Sequence, residues 1–234
     1  ENKPLRNDLL SLFMRVTQNR KYLRDVVVNF ILAGRDTTAC TLTWLFWEIA
    51  RCDAVGTDGE GVHARILREV RAASCDSDGK FSFQALSQLK YCSACILETI
   101  RLHPAVPDDS KEAFADDILP DGTLVLKGEY VSYTPYAMAR DVGLWGEDAA
   151  AWRPERWLKM AKEPSSFLFA SFQAGPRICL GKDMALLEVK AVLAQLVHMG
   201  LRWEVDAAYT PTYRYPSAVQ PMAYPGLPLR FHFL

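Results

Sequence analysis

FQAGPRICLG, residues Phe172 to Gly181, is the stretch on which the reading of this chain turns. It sets one cysteine, Cys179, between glycines, with Arg177 two residues upstream. Gly175 and Gly181 permit backbone geometry closed to other residues and let a flat ligand come close. The residues that follow, GKDMALLEVKAVLAQLVHMG, read as a helix ended by Gly200, whose first amides face a thiolate favourably. A cysteine so placed suits a metal ligand better than a filler of core space.

With one thiolate and no nearby histidine, the most economical metal is one already held by another scaffold, namely haem iron. An axial thiolate there pushes electron density in the direction that favours O–O cleavage. Arg177 is then placed to pair with a haem propionate. The alternative is zinc, started by Cys92 and Cys95, and it lacks a second pair at matching spacing.

Upstream, Tyr22 to Arg51 contains no proline and is apolar all round, which predicts a long helix buried in a large core or spanning a membrane. Arg24, Asp25, Arg35, Asp36 and Glu48 interrupt it, so no uncharged run approaches the ~18 residues of a span. Asp36 and Thr37 stand mid-helix after Ala33 and Gly34. Either their polar groups bond back to the helix's own carbonyls, or the helix distorts there to admit a ligand to which they relay protons.

Ser82 reads as a cap for a helical pattern running to about Leu102, where Pro104 and Pro107 end it. Glu98 and Arg101 share one face of that helix. Their apolar neighbours point to a buried ionic network, with Arg156 of PERW as its third member. Between Pro104 and Val131, short β-type runs include a turn at Pro120 to Gly122 and a hairpin in TLVLKGEYVSY. Trp145 to Ser171 is irregular, the kind of stretch that specific side chains pin down.

Composition sets outer bounds. The 234 residues are 50% hydrophobic and 24% charged, enough for a sizeable core, and the net charge of -1 gives no electrostatic case for nucleic acid. Six cysteines, mostly in apolar helical patterns, fit a reducing, cytosol-facing setting. The opening residues show no signal peptide, and the lack of an initial methionine suggests a piece of a longer chain.

Taken together and in order, these pieces resemble the C-terminal part of a cytochrome P450. The haem-thiolate signature is complete as Phe172, Gly175, Arg177, Cys179 and Gly181; the ExxR motif is Glu98 and Arg101; AGRDTT, Ala33 to Thr38, matches the oxygen-binding motif; Arg156 matches the PERW arginine. The resemblance implies a mainly α fold with a small β portion, residues 1–234 forming the C-terminal half of one domain. It implies haem b with Cys179 as iron ligand, Asp36 and Thr37 handling oxygen and protons, and Arg177 and Lys111 on the propionates. Val106 and Pro107 resemble a wall of the substrate pocket.

The implied activity is monooxygenation of a lipophilic substrate with O2, using electrons from NADPH through a separate flavoprotein reductase docked near Lys182 and Lys190. The motifs look most like the plant and fungal branch that hydroxylates the ω-end of long-chain fatty acids. The family setting is the cytosolic face of the endoplasmic reticulum membrane, anchored by the N-terminal part. A haem-thiolate hydroperoxide isomerase or dehydratase, and a remnant that holds no haem, are the alternatives.

Overall fold

A computed structural model of the chain describes residues 8–55, 60–206, 208–214, 222–224 and 226–233. The sequence's most apolar stretch forms the axis of the molecule. A short helix α1 (Leu9–Met14) precedes α2 (Arg20–Val55), which runs 36 residues without a break, through Gly34. Of the two alternatives for this segment, the regular helix holds and the distortion at Gly34 does not occur.

The two halves of α2 have different surroundings. Trp44, Leu45, Ile49 and Ala50 are buried, whereas Tyr22, Val28, Ile31 and Leu32 are exposed. Full burial was the expectation, but toward its start α2 meets chiefly α1, through Phe13 against Tyr22 and Phe30. Among the described residues no helix is long and apolar enough to cross a membrane.

Helix α3 (Val62–Ala72) lays Val62, Ile66 and Val70 into the core at four-residue spacing. The aspartate and glycine loop after it is closed by Asp76 Oδ1, which accepts from the amides of Asp78 at 3.0 Å and Lys80 at 2.8 Å. The helical pattern expected from Ser82 to Leu102 divides into α4 (Phe83–Ser87) and α5 (Lys90–Leu102). Ser82 caps the first, accepting from Ala85 N at 3.1 Å. The second begins afresh because Glu69 of α3 accepts from the amides of Tyr91 at 2.7 Å and Cys92 at 2.8 Å, satisfying groups that a helix start leaves free.

Strands β1 (Asp109–Glu112), β2 (Asp117–Ile118), β3 (Leu124–Val125) and β4 (Tyr130–Tyr133) follow. The hairpin expected within TLVLKGEYVSY does not form: β3 pairs back with β2, and β4 with β1. The Pro120 to Gly122 turn closes the inner pair, with Gly122 at φ 88°, so the two pairs nest.

The irregular stretch carries α6 (Pro135–Met138), α7 (Val142–Trp145) and α8 (Glu155–Lys159). Helix α9 (Lys182–His198) buries Val189, Leu193, Ala194 and Val197, and Gly200 at φ 79° ends the turn beyond it. Among the C-terminal strands β5 (Leu201–Val205), β6 (Thr212–Arg214), β7 (Met222–Tyr224) and β8 (Leu229–Phe233), β5 pairs with β8 and β6 with β7. Trp203 of β5 is buried, and its indole donates to Phe46 O on α2 at 3.0 Å. The C-terminal half of α2, with α3, α5, α9 and β5, thus shares one core.

Candidate functional site

Cys179 lies in the loop before α9 and is exposed. Two short turns shape that loop, Ala170–Phe172 and Gly175–Arg177, with Gln173 at φ 62° and Gly175 at φ 66°. Gln173 adopts the left-handed region without being glycine, a strained conformation of the kind that concentrates at functional sites. The Cys179 amide donates to Phe172 O at 2.8 Å and so closes the loop on itself.

The loop faces a cleft of about 380 Å³ lined by Phe172, Gln173, Arg177 and Cys179. Ala33, Thr37, Thr38 and Thr41 of α2 line it too, as do Ala105 and Val106 beyond α5. Pro107 is buried beside that wall and does not line the cleft. Thr37 lines it with its hydroxyl turned back to Ala33 O at 2.6 Å. Asp36 is not among the lining residues and lies 3.5 Å from the Arg35 guanidinium.

Arg177 is exposed at the cleft with no carboxylate in ion-pair distance among the described residues. Lys111 of β1 bridges Asp109 and Gln173, both at 2.9 Å, which ties the strand to the cysteine loop. Cys75 is exposed away from this cleft, and the remaining four cysteines are buried or half-buried. Burial pushes Cys40 and Cys52 up to about 11, and it raises Cys92 and Cys95 well above 9.0, so all four remain protonated thiols.

Three features of this cleft fit a bound haem. Its single exposed thiol is the right donor for an axial thiolate. In the loop that carries Cys179, a Cβ at Gly175 or Gly181 would meet nothing within 4 Å, leaving room for a flat group to approach the backbone. Thr38 Oγ1 is buried without a hydrogen-bond partner, an arrangement that costs about 1–3 kcal/mol and marks where something else belongs.

Behind the cleft, Glu98 and Arg101 have fully buried side chains and form a two-point pair, Nε to Oε2 at 2.8 Å and Nη2 to Oε1 at 2.9 Å. Arg156 Nε donates to Glu98 Oε1 at 2.8 Å. Arg101 reaches on to the carbonyls of Ala139, Ala149 and Ala151, and Arg156 to Asp148. These bonds are what pin the irregular stretch. Two further partners escaped sequence reasoning, the Trp157 indole at 2.9 Å and the Arg153 amide at 2.8 Å, both donating to Glu98.

A second buried polar centre was also missed. His103 Nε2 lies 2.7 Å from Glu48 Oε1, and a neutral imidazole beside a carboxylate carries its proton on that nitrogen. The ring stacks on Trp44 with centroids 4.3 Å apart and planes 1° from parallel. Arg51 Nε holds the other Glu48 oxygen at 3.1 Å. A lone glutamate in WLFWEIAR and a histidine before proline were the available signals.

Burial lowers the His103 pKa below 6.5, outweighing the upward pull of Glu48 and assisted by Arg140 and Arg51. The unfolded chain therefore binds the proton first as pH falls, and stability drops from about pH 6.5 downward. His63, also lowered by burial, acts in the same direction. Urea unfolding of the full-length protein should show this decline, made shallower in His103→Gln. An equally steep decline in the variant would contradict a buried neutral imidazole.

The cytochrome P450 family model matches residues 2–213. This chain belongs to the cytochrome P450 family. Cytochrome P450 94B1 of Arabidopsis thaliana is 41% identical over 201 residues, covering 82% of this chain and 38% of the relative. Cytochrome P450 86B1 of the same plant is 39% identical over 205 residues, covering 82% and 37%. Cytochrome P450 704C1 of Pinus taeda is 36% identical over 238 residues, covering 92% and 44%. The chain thus spans about two fifths of the length of these relatives. Its helices and small sheets form a partial cytochrome P450 fold.

Proposed function

We propose that these residues form the C-terminal part of a haem-thiolate monooxygenase that inserts one atom of O2 into a C–H bond of a lipophilic substrate, with the ω-end of a long-chain fatty acid as the substrate class. The observation that carries this reading is the juxtaposition in one cleft of an exposed thiol, Cys179, with the hydroxyl-bearing wall of α2. The balance is substrate, O2, two electrons and two protons giving alcohol and water.

Haem b bound through the Cys179 thiolate supplies the oxygen chemistry. Phe172, Gly175 and Gly181 shape the loop that admits it. Arg177 offers its guanidinium to a propionate, and Lys111, oriented by Asp109 and Gln173, offers a second cation. Thr37 handles a proton at its hydroxyl after rotating away from Ala33 O. Asp36, half-buried midway along α2, takes that proton from solvent. Ile100, Ala105, Val106 and Val189 give the cleft an apolar lining suited to an alkyl chain.

Electrons come from NADPH through a flavoprotein reductase. Lys182 and Lys190 are both half-buried, Lys182 with Glu163 at 3.6 Å and Lys190 beside Cys92 and Glu69 with its pKa lowered by burial, so neither presents a free charge to the reductase. The setting is the cytosolic face of the endoplasmic reticulum membrane, with the anchor outside the described helices.

The test supplies the full-length protein with reductase, NADPH, a long-chain fatty acid and ¹⁸O-labelled O2. A terminal alcohol carrying one labelled atom is the expected product. Unlabelled product made from a fatty-acid hydroperoxide without reductase would favour the isomerase or dehydratase. A full-length chain that holds no haem would favour the remnant.

A further inference from the structure

Thr37, Thr41, Trp44 and Glu48 follow one another on α2 at steps of four, three and four residues, so they form a single stripe along the helix. The upper end of that stripe, Thr37 and Thr41, is a wall of the cleft. Its lower end grips His103, through the 2.7 Å bond to Glu48 and the ring stacked at 4.3 Å on Trp44. Ala105 and Val106, two and three residues beyond His103, form another wall of the same cleft.

Little slack separates the grip from that wall. Pro104 fixes its own φ and biases His103 away from helix. The His103 amide is held by Thr99 O at 2.7 Å, Leu102 O accepts from Arg140 Nη1 at 2.8 Å, and Pro107 O accepts from Tyr136 N at 3.3 Å. A shift of the His103 backbone relative to α2 therefore carries residues 105 and 106 with it. Arg51 holds the far oxygen of Glu48 and leaves the near one aimed at the imidazole.

We propose that Glu48 and His103 are positioning residues that set the separation between the α2 wall and the Ala105–Val106 wall, and through it the fit of the substrate chain. The specificity part rests on the monooxygenase reading above; the separation itself does not.

The test uses the full-length, haem-loaded protein as wild type, His103→Ala, His103→Gln and Glu48→Gln. Crystal structures of wild type and His103→Ala should show the Cα separation between Thr41 and Val106 changed by about 1 Å, a displacement large enough to alter rates on the order of a hundredfold. For a series of saturated fatty acids of increasing length, the ratio of kcat/KM between longest and shortest should move at least about tenfold in His103→Ala, mainly through kcat. His103→Gln, which keeps a donor for Glu48, should restore it.

Walls that keep their separation in His103→Ala, or a chain-length profile parallel to wild type, would overturn the proposal. Should His103→Ala not fold, Glu48→Gln, which leaves one acceptor oxygen for the two donors of His103 and Arg51, carries the same readouts on a milder change, and unshifted walls there together with an unchanged profile would overturn it equally. A wild type that oxidises no fatty acid would sink the fatty-acid reading of the substrate, and the crystallographic separation would still decide the positioning role of Glu48 and His103.

Discussion

Glu98→Ala in the full-length protein is expected to yield almost no folded, haem-containing product. Glu98 accepts from Arg101 twice, from Arg156, from the Trp157 indole and from the Arg153 amide. Its removal strands the guanidinium of Arg101, whose side chain is 0% exposed, with no counter-charge. Breaking a buried pair in this way costs about 3–5 kcal/mol. That is a large share of the total of about 5–15 kcal/mol that holds a domain folded.

The damage should also spread, because the same network organises Ala139, Ala149 and Ala151 around α5. Glu98→Gln retains the acceptor for one donor and should be less severe. Circular dichroism, thermal melting and haem content after purification are the readouts. Normal haem incorporation by Glu98→Ala would contradict a structural role for the network.

Cys179→Ala should have the opposite profile, with fold preserved and haem-thiolate character lost. Its side chain is exposed to the cleft, and the hydrogen bond it makes to Phe172 O uses the backbone amide, which alanine keeps. The change in stability of the haem-free chain should therefore stay within about 0.5 kcal/mol, as for surface positions without special contacts. Activity in the labelled-oxygen assay should vanish. Retained activity would remove Cys179 from the role of ligand.

The contrast between these two residues shows what could be read before the fold was in view. Glu98, Arg101 and Arg156 were legible because charged groups in apolar settings must find partners, and Cys179 because glycines and a helix start flanked it. The helix cores of α2 and α9 were legible from apolar patterning, and the Ser82 cap and the Pro120–Gly122 turn from local chemistry. Apart from Arg156, which lies 58 residues from Glu98 and was legible through its PERW setting, each of these signals is confined to a few neighbouring residues.

What was missed depends on distant partners. Glu69 caps a helix that begins 21 residues later, and its glutamate looks like any other on an amphipathic face. His103 and Glu48 are 55 residues apart, so nothing local announces their bond. The nested strand pairing has the same origin, since adjacent β-type runs favour a hairpin on paper while the register is decided by what each strand meets across the fold. Asp36 illustrates a subtler limit: a helix stripe places it one step from Thr37, and one step rotates a side chain about 100° around the helix, out of the cleft.

The most direct test of the central claim is the carbon monoxide difference spectrum of the full-length protein after haem loading and reduction, compared with Cys179→Ala. The structure predicts a red-shifted Soret band of the thiolate-ligated type in the wild type and its loss in the variant. Bound haem with an unshifted band, or the same shifted band in both proteins, would contradict Cys179 as the axial ligand.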